Sequence, residues 1–370
     1  MKMKLHAQTL PGAVYPFCLS EPVIHADNEA NHRSGHMGHG MAEFAPGKVI
    51  AFSANTSAVR GSGHAHFGWM DYAISEDYGN TFSKPRSLPY SMECLLEGEY
   101  TISVEKAVAT ADGKIAAFCL RWKICEDAGK ARWGLPMVVL SADGGETWGE
   151  AKPVSGYYGR VFDATCHEGD VYVLEFCNPP GKMGELPEHK YRLFKSEDNC
   201  ESFELVNEIP WNTFGRTYGN MIFTPEGDLI LYAYDMNDEH GMDYIVSHDK
   251  GETWEEPSKC YMKKRIRNPQ IGYMDGQYYC TARAGEIEDE SVLRGEFVIY
   301  TSADGIHWDD GKILIKGRPC SFYSENLTLK LPDGSYKMLL KYSENYDPDI
   351  VGLCAGRVNS MMLQITPCKE

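Results

Sequence analysis

The sequence predicts an all-β fold, a six-bladed β-propeller of four-stranded antiparallel blades, built as one domain over residues 1–370. Two periodic signals running in step predict it. The first is a phrase of the form Ser-x-Asp-x-Gly-x-Thr-aromatic, written five times. Its cleanest copies are Ser141, Asp143, Gly145, Thr147, Trp148 and Ser247, Asp249, Gly251, Thr253, Trp254. A third copy, Ser75, Asp77, Gly79, Thr81, Phe82, changes only the aromatic, and a fourth, Ser196, Asp198, Ser202, Phe203, places Cys200 where glycine is expected. The fifth, Ser302, Asp304, Trp308, is one residue short. A tight turn explains the pattern: the carboxylate accepts from backbone N–H groups just ahead, glycine allows positive φ, and the ring anchors the turn on a sheet.

The second signal is a hairpin turn with glycine, at Gly47, Gly113, Gly169, Gly227, Gly276 and Gly334. Each is followed by an apolar, β-rich run, at 48–52, 114–118, 170–176, 228–234, 277–282 and 335–342, which is a hairpin signal. The glycines recur roughly every 50 to 65 residues, the period of a propeller blade or a repeat array. Units one to five read strand, glycine turn, strand, strand, Asp turn, strand. The sixth has no such Asp turn, so its outer strands are expected from 358–365 and from the N-terminal segment.

One Asp-containing turn per blade in this hairpin register resembles the sialidase (neuraminidase, BNR-repeat) superfamily of six-bladed propellers, over essentially the whole chain. The resemblance implies a fold more firmly than an activity, because in that superfamily these turns lie on the outer rim, away from the active site. Bulk properties narrow the partners. A formal charge of −17 argues against nucleic acid and anionic membrane surfaces, which need a basic footprint. No apolar run reaches the ~18 residues of a membrane span, and no Pro/Ser-rich linker or low-complexity tract divides the chain. Segment 1–19 is broken by His6, Gln8, Pro11 and Pro16 and lacks a signal-peptide core. Twelve cysteines without CxxC pairing read as mostly free thiols in a reducing compartment. A cytoplasmic location is expected unless a signal peptide has been removed. No cofactor is expected. A homo-oligomer is left open.

In a propeller the starting ends of the inner strands converge on one face. Nine residues before the six hairpin glycines stand Gly38, Val104, Arg160, Tyr218, Arg267 and Glu325. Two positions earlier, on the same face if the strand stays extended, stand Arg216 and Tyr323. Guanidinium groups grip a carboxylate in a two-pronged geometry, so Arg160, Arg216 and Arg267, with Arg283 as a fourth, are candidates to hold an acidic sugar or oligosaccharide, with Tyr218 beside them. The alternative is that each arginine pairs with local carboxylates.

The segment 322–327, Phe-Tyr-Ser-Glu-Asn-Leu, is similar to the Tyr-Ser-x-Leu stretch before the last hairpin of sialidases. The resemblance implies that Tyr323 is a nucleophile and that a nearby Glu takes its proton, a role expected of Glu325. Glu325 and not Tyr323 holds the counted register before Gly334, so two alternatives stay open, that Tyr323 still reaches the axis or that Glu325 has replaced it. The resemblance implies too that a neutral tyrosine replaces the usual carboxylate because the anomeric carbon already bears one. Two departures stand against it. The Phe-Arg-Ile-Pro signature is absent, and loop 60–67, where the acid/base Asp is expected, contains His64 and His66 but no Asp. Histidine titrates near neutrality, so His36, His39, His64 or His66 is expected to take the proton-transfer role. His32, His36 and His39 are of a type that ligates metals, but their spacing is a weak signal, and no metal is assigned. Three functions stay open: a sialidase-type exo-glycosidase on a terminal carboxylated sugar; a lyase or His-dependent glycosidase on uronate- or rhamnose-containing glycans; and a non-catalytic glycan-binding propeller.

Overall fold

Six sheets stand around one axis in the computed structural model, which describes residues 5–8, 16–58, 67–123, 133–177, 188–284, 287–289, 292–293, 295–316, 322–347 and 357–368. Blade 1 runs from the axis outward as Met41–Ala45, Lys48–Ser57, Gly68–Ser75 and Arg86–Ser87. Blade 2 is Tyr100–Ala109, Ile115–Lys123, Met137–Ser141 and Lys152–Pro153; blade 3 is Gly159–His167, Asp170–Cys177, Lys190–Ser196 and Glu204–Glu208. Blade 4 is Arg216–Phe223, Leu229–Asp235, Gly241–Ser247 and Ser258–Tyr261; blade 5 is Arg267–Met274, Gln277–Ala284, Glu296–Ser302 and Lys312–Lys316. Blade 6 pairs Ser324–Lys330, Tyr336–Asn345 and Val358–Pro367, and the N-terminal strands Phe17–Ser20 and Val23–Ala26 both pair with Val358–Pro367. That pairing closes the circle as expected and covers an edge that would otherwise invite another chain.

The second strand of each blade has sheets on both faces, which is why it reads as a continuous apolar run instead of an alternation. Leu229–Asp235 is buried at all seven positions. All six hairpin glycines have positive φ. A short helix, Pro89–Glu97, joins blades 1 and 2; it begins with proline and ends at Gly98, whose φ is 76°. Among the described residues no helix is long and apolar enough to cross a membrane.

The Asp-containing turns close as their chemistry requires. In blade 4 the Ser247 hydroxyl accepts from Gly251 N–H at 2.7 Å, while Asp249 accepts from the Thr253 N–H at 2.8 Å and its hydroxyl at 2.6 Å. In blade 3 Cys200 takes the glycine position at φ 66°, and the same serine-to-backbone bond forms at 2.8 Å. In blade 5 the bond spans three residues, from Gly305 N–H to Ser302, matching the shortened sequence. Each of these turns that packs inward docks on the preceding blade. Trp148 of blade 2 lies 5.5 Å from Tyr72 and 5.9 Å from Phe52 of blade 1, and the Tyr72 hydroxyl donates to Gly145 O. A Cβ on Gly251 of blade 4 would sit 2.2 Å from Leu193 of blade 3. The repeated phrase is thus a lock between blades.

Candidate active site

The inner strands begin at one end of the axis, and in four of them the ladder breaks just inside that end. Register skips one residue at Glu105, at Phe162 and at Tyr218, and one across Asn268 and Pro269. A bulge re-aims side chains next to the break. Glu105, Phe162, Tyr218 and Asn268 all line one axial cavity, together with Met37, Gly38, His39, Lys106, Arg160, Gln270, Tyr323, Ser324 and Glu325. Tyr218 and Asn268 hold φ of 50° and 51°, a backbone cost that is tolerated where surrounding structure fixes it and that clusters at functional sites. The free space among these side chains is about 40 Å³, room for water but not for a sugar ring.

Arg160 and Tyr323 face each other across this cavity through Tyr218. The Arg160 guanidinium lies 4.7 Å from the Tyr218 ring centre and 4.9 Å from that of Phe162, a cation–π arrangement. Its Nε donates to Glu105. Burial works against the Arg160 charge, and Glu105 beside it outweighs that; burial likewise raises Glu105, with Arg160 opposing. Arg160 Nη1, Asn268 Nδ2 and Glu105 Oε1 are buried and make no hydrogen bond of normal geometry among the described residues. The Tyr218 and Tyr323 hydroxyls are 3.4 Å apart, and the Arg283 guanidinium stands 5.8 Å from the Tyr323 ring centre. Burial first, then Tyr218, push the Tyr323 hydroxyl well up, with Arg283 and Arg160 opposing.

The floor of the cavity is a buried charge cluster. Lys106 binds the Glu325 carboxylate, lies 3.2 Å from Asp163 and donates to Gln270 at 2.7 Å. Glu325 also accepts from Asn326 N–H at 3.0 Å. One cation between two carboxylates stays charged, and burial, opposed by Lys106, pushes Glu325 up to about 7. Lys106, Asp163 and Glu325 also line a second cavity that opens at the other end of the axis, so this cluster separates the two.

Of the histidines expected near the site, His36 is buried and packs edge-on against Tyr323 with ring centres 4.4 Å apart. His39 lines the cavity, lies 3.3 Å from His36 O and 3.5 Å from buried Lys341. Burial first, then Lys341, hold it well below the usual histidine range, so it stays neutral. His64 and His66 lie outside the described residues. No three metal-ligating side chains gather among the described residues.

The three arginines expected to converge do not do so. Arg160 alone of the three lines the cavity. Arg216 pairs with Asp243 at 2.7 Å and Asp235 at 3.2 Å and donates to Phe214 O. Arg267 lies 3.2 Å from Glu239 and is paired in register with Arg283. For Arg216 the reason is the bulge at Tyr218: an extra residue cancels the period of two on which its placement rested. Tyr323, which precedes its strand and follows Phe322 at φ 75°, does reach the cavity with Glu325. Sequence reasoning missed Glu105, Lys106, Asp163, Asn268 and Gln270. Their signal was available, since each is a polar residue one to three places after a counted position, inside an otherwise apolar strand.

No family model matches the chain, and no curated protein matches its sequence. Among solved structures the fold is similar to a protein of unknown function from Dyadobacter fermentans DSM 18053, 14% identical, with a TM-score of 0.71 over 97% of this chain and 100% of that one. It is similar to the Hadza microbial sialidase Hz136, 14% identical, with a TM-score of 0.67 over 96% of this chain and 70% of that one. A Trypanosoma rangeli sialidase in complex with 2,3-difluorosialic acid, a covalent intermediate, aligns at 12% identity with a TM-score of 0.62 over 97% of this chain and 59% of that one. At these identities the likeness shows the fold, a six-bladed propeller structurally related to sialidase propellers.

Proposed function

We propose that the chain is a carbohydrate-active enzyme that hydrolyses a terminal carboxylated sugar by sialidase-type chemistry. The observation that carries this is the buried Arg160, whose Nη1 is unbonded, on the wall of a cavity that is also lined by Asn268, with its unbonded Nδ2, and by Tyr323. Two buried donors without partners are costly unless a ligand accepts from them, and a carboxylate suits a guanidinium best. Arg160 and Asn268 then bind the acid group, with Arg283 adding positive charge beside Tyr323. The Tyr323 oxygen bonds to the anomeric carbon as the glycosidic C–O bond breaks. Its proton passes across the cavity to Glu325, and the leaving oxygen takes a proton from His36. Water, giving a proton back to His36, then bonds to the same carbon as the Tyr323 C–O bond breaks, and Glu325 returns the proton to the tyrosine oxygen. A tyrosine held protonated by burial needs such a base, and Glu325, with its pKa pushed up to about 7, is poised to accept near neutrality.

His36 against Tyr323 also supports a second reading, in which the pair abstracts and donates protons in β-elimination from a uronate. One experiment separates the two. Tyr323→Phe is expected to lower turnover of an aryl sialoside or aryl uronide by about a thousandfold while calorimetry shows ligand binding retained. Wild-type turnover in the variant removes Tyr323 from the chemistry. An unsaturated uronate product from the native enzyme selects the lyase. Binding without turnover in the native protein selects a glycan-binding propeller.

A further inference from the structure

The circle of blades is closed by a short ladder. Phe17–Ser20 meets Val358–Pro367 in three register pairs, Phe17 with Pro367, Cys18 with Thr366 and Leu19 with Ile365, and the Cys368 N–H extends it by donating to Pro16 O at 3.0 Å. On its other side the same strand meets Tyr336–Asn345 in eight pairs, so the seam is the weaker of its two edges. The strand closed here also holds the segment that leads into the axial cavity. Val358 O accepts from the Gly35 N–H at 2.8 Å and from Asn28 Nδ2 at 3.0 Å, a few residues before His39, which lines that cavity.

Two cysteines meet at the seam. Side chains alternate between the faces of a strand, so Phe17 and Leu19 turn into the core and Cys18 between them turns to the other face, where it is half-buried. Cys368, also half-buried, lies two residues past Thr366, the partner that Cys18 faces, and so shares that face. The two thiols are hydrogen-bonded; burial first, then that bond, push the Cys18 thiol up to about 11. Six of the other seven described cysteines are buried, and the seventh, Cys166, is exposed in the inner strand of blade 3. Diagonal neighbours on one face of an antiparallel pair stand ~7–8 Å apart with their Cβ atoms closer. That is the upper edge of what a disulfide spans, and a small shift at Cys368, just past the last register pair, closes the remainder.

We propose that Cys18 and Cys368 are a thiol–disulfide site that locks the seam of the propeller, oxidised by a low-molecular-weight disulfide such as oxidised glutathione. A thiol held protonated attacks poorly, so Cys368 opens the exchange. Its sulfur bonds to one sulfur of oxidised glutathione as that S–S bond breaks and one glutathione thiolate leaves. The Cys18 sulfur, giving up its proton, then bonds to the Cys368 sulfur as the mixed disulfide breaks and the second glutathione leaves. The two protein thiols lose two electrons, the oxidant disulfide takes them, and the two protons end on the released glutathione thiols. The bridged residues are 350 positions apart, so the closed loop takes in nearly the whole chain, the case in which a cross-link restrains the unfolded state most.

The test incubates the full chain with oxidised glutathione or with dithiothreitol, alkylates the remaining thiols and digests with trypsin without reduction. The oxidised sample is expected to yield peptides 5–33 and 358–369 joined, separable by reduction, and to unfold at a urea midpoint higher by about 1 M than the reduced one. Cys18→Ser and Cys368→Ser, each at a half-buried position, are both expected to lose the joined peptide and the dependence of the midpoint on oxidant while keeping the midpoint of the reduced native protein. If one variant fails to fold, the other and the native peptide map decide. The proposal is overturned if Cys18 and Cys368 stay free, if either ends bound to glutathione, to Cys166 or to a second chain, or if the bridge forms and the midpoint does not move.

Discussion

Carboxylates at the two ends of the blades behave in opposite ways. On the rim, Asp143 and Asp249 are drawn down to about 2, first by the hydroxyl and then by the N–H of Thr147 and Thr253, four residues ahead of each. At the axis, Glu325 is pushed up to about 7 by burial, and its cation, Lys106, comes from another blade. The rim carboxylates are satisfied by their own turn. The axial one is satisfied by a residue more than two hundred positions away, inside a site with unbonded donors. The contrast lies in where a carboxylate finds its partners, within one turn on the rim and across blades at the axis.

The largest break in this comparison comes from Lys106→Met, which leaves Glu325 and Asp163 buried without a cation. It is expected to cost about 3–5 kcal/mol of stability, read by urea unfolding; a loss under 1 kcal/mol would mean that water compensates the cluster. On the rim, Gly251→Ala places a Cβ at φ 99° and 2.2 Å from Leu193, and is expected to cost about 2–4 kcal/mol. Gly227→Ala shares the positive φ, 96°, but meets nothing within 4 Å, so the strain alone remains, about 1–2 kcal/mol. Equal losses in the two alanine variants would show that the turn does not lock onto the preceding blade.

The finest test uses pH, because the two regions carry opposite signs. Glu325 has a folded value above its ordinary 4.5, so its contribution is fully present below 4.5 and is lost as pH rises through about 7. Asp143 and Asp249 have folded values below their ordinary 3.8, so theirs is present above 3.8 and is lost as pH falls through about 2. Glu325→Gln, which still leaves Lys106 beside Asp163, is expected to gain stability relative to the native protein between pH 4.5 and 7. Urea midpoints that stay parallel across that window would show that Glu325 does not titrate there.

What was legible in the sequence follows the same division. The blade count, the hairpin register and the turn at each Asp depend on interactions within about eight residues or on a repeat of such units, and a linear sequence displays those directly. The closure, which pairs Phe17 with Pro367, was legible only as the piece missing from the sixth repeat. Counting back nine residues from each hairpin glycine also reached the right level of the axis, because the hairpins repeat with the same strand length; Gly38, Arg160, Tyr218 and Glu325 line the cavity. The count failed for Arg216, since the bulge at Tyr218 inserts a residue and turns Arg216 toward Asp235 and Asp243. Only the tertiary structure decided that Arg160 pairs with Glu105, that Lys106 joins Asp163 and Glu325 across three blades, and that His36 stands against Tyr323. Those contacts link residues tens to hundreds of positions apart through six converging strands. A one-residue bulge is enough to change which of them face the axis.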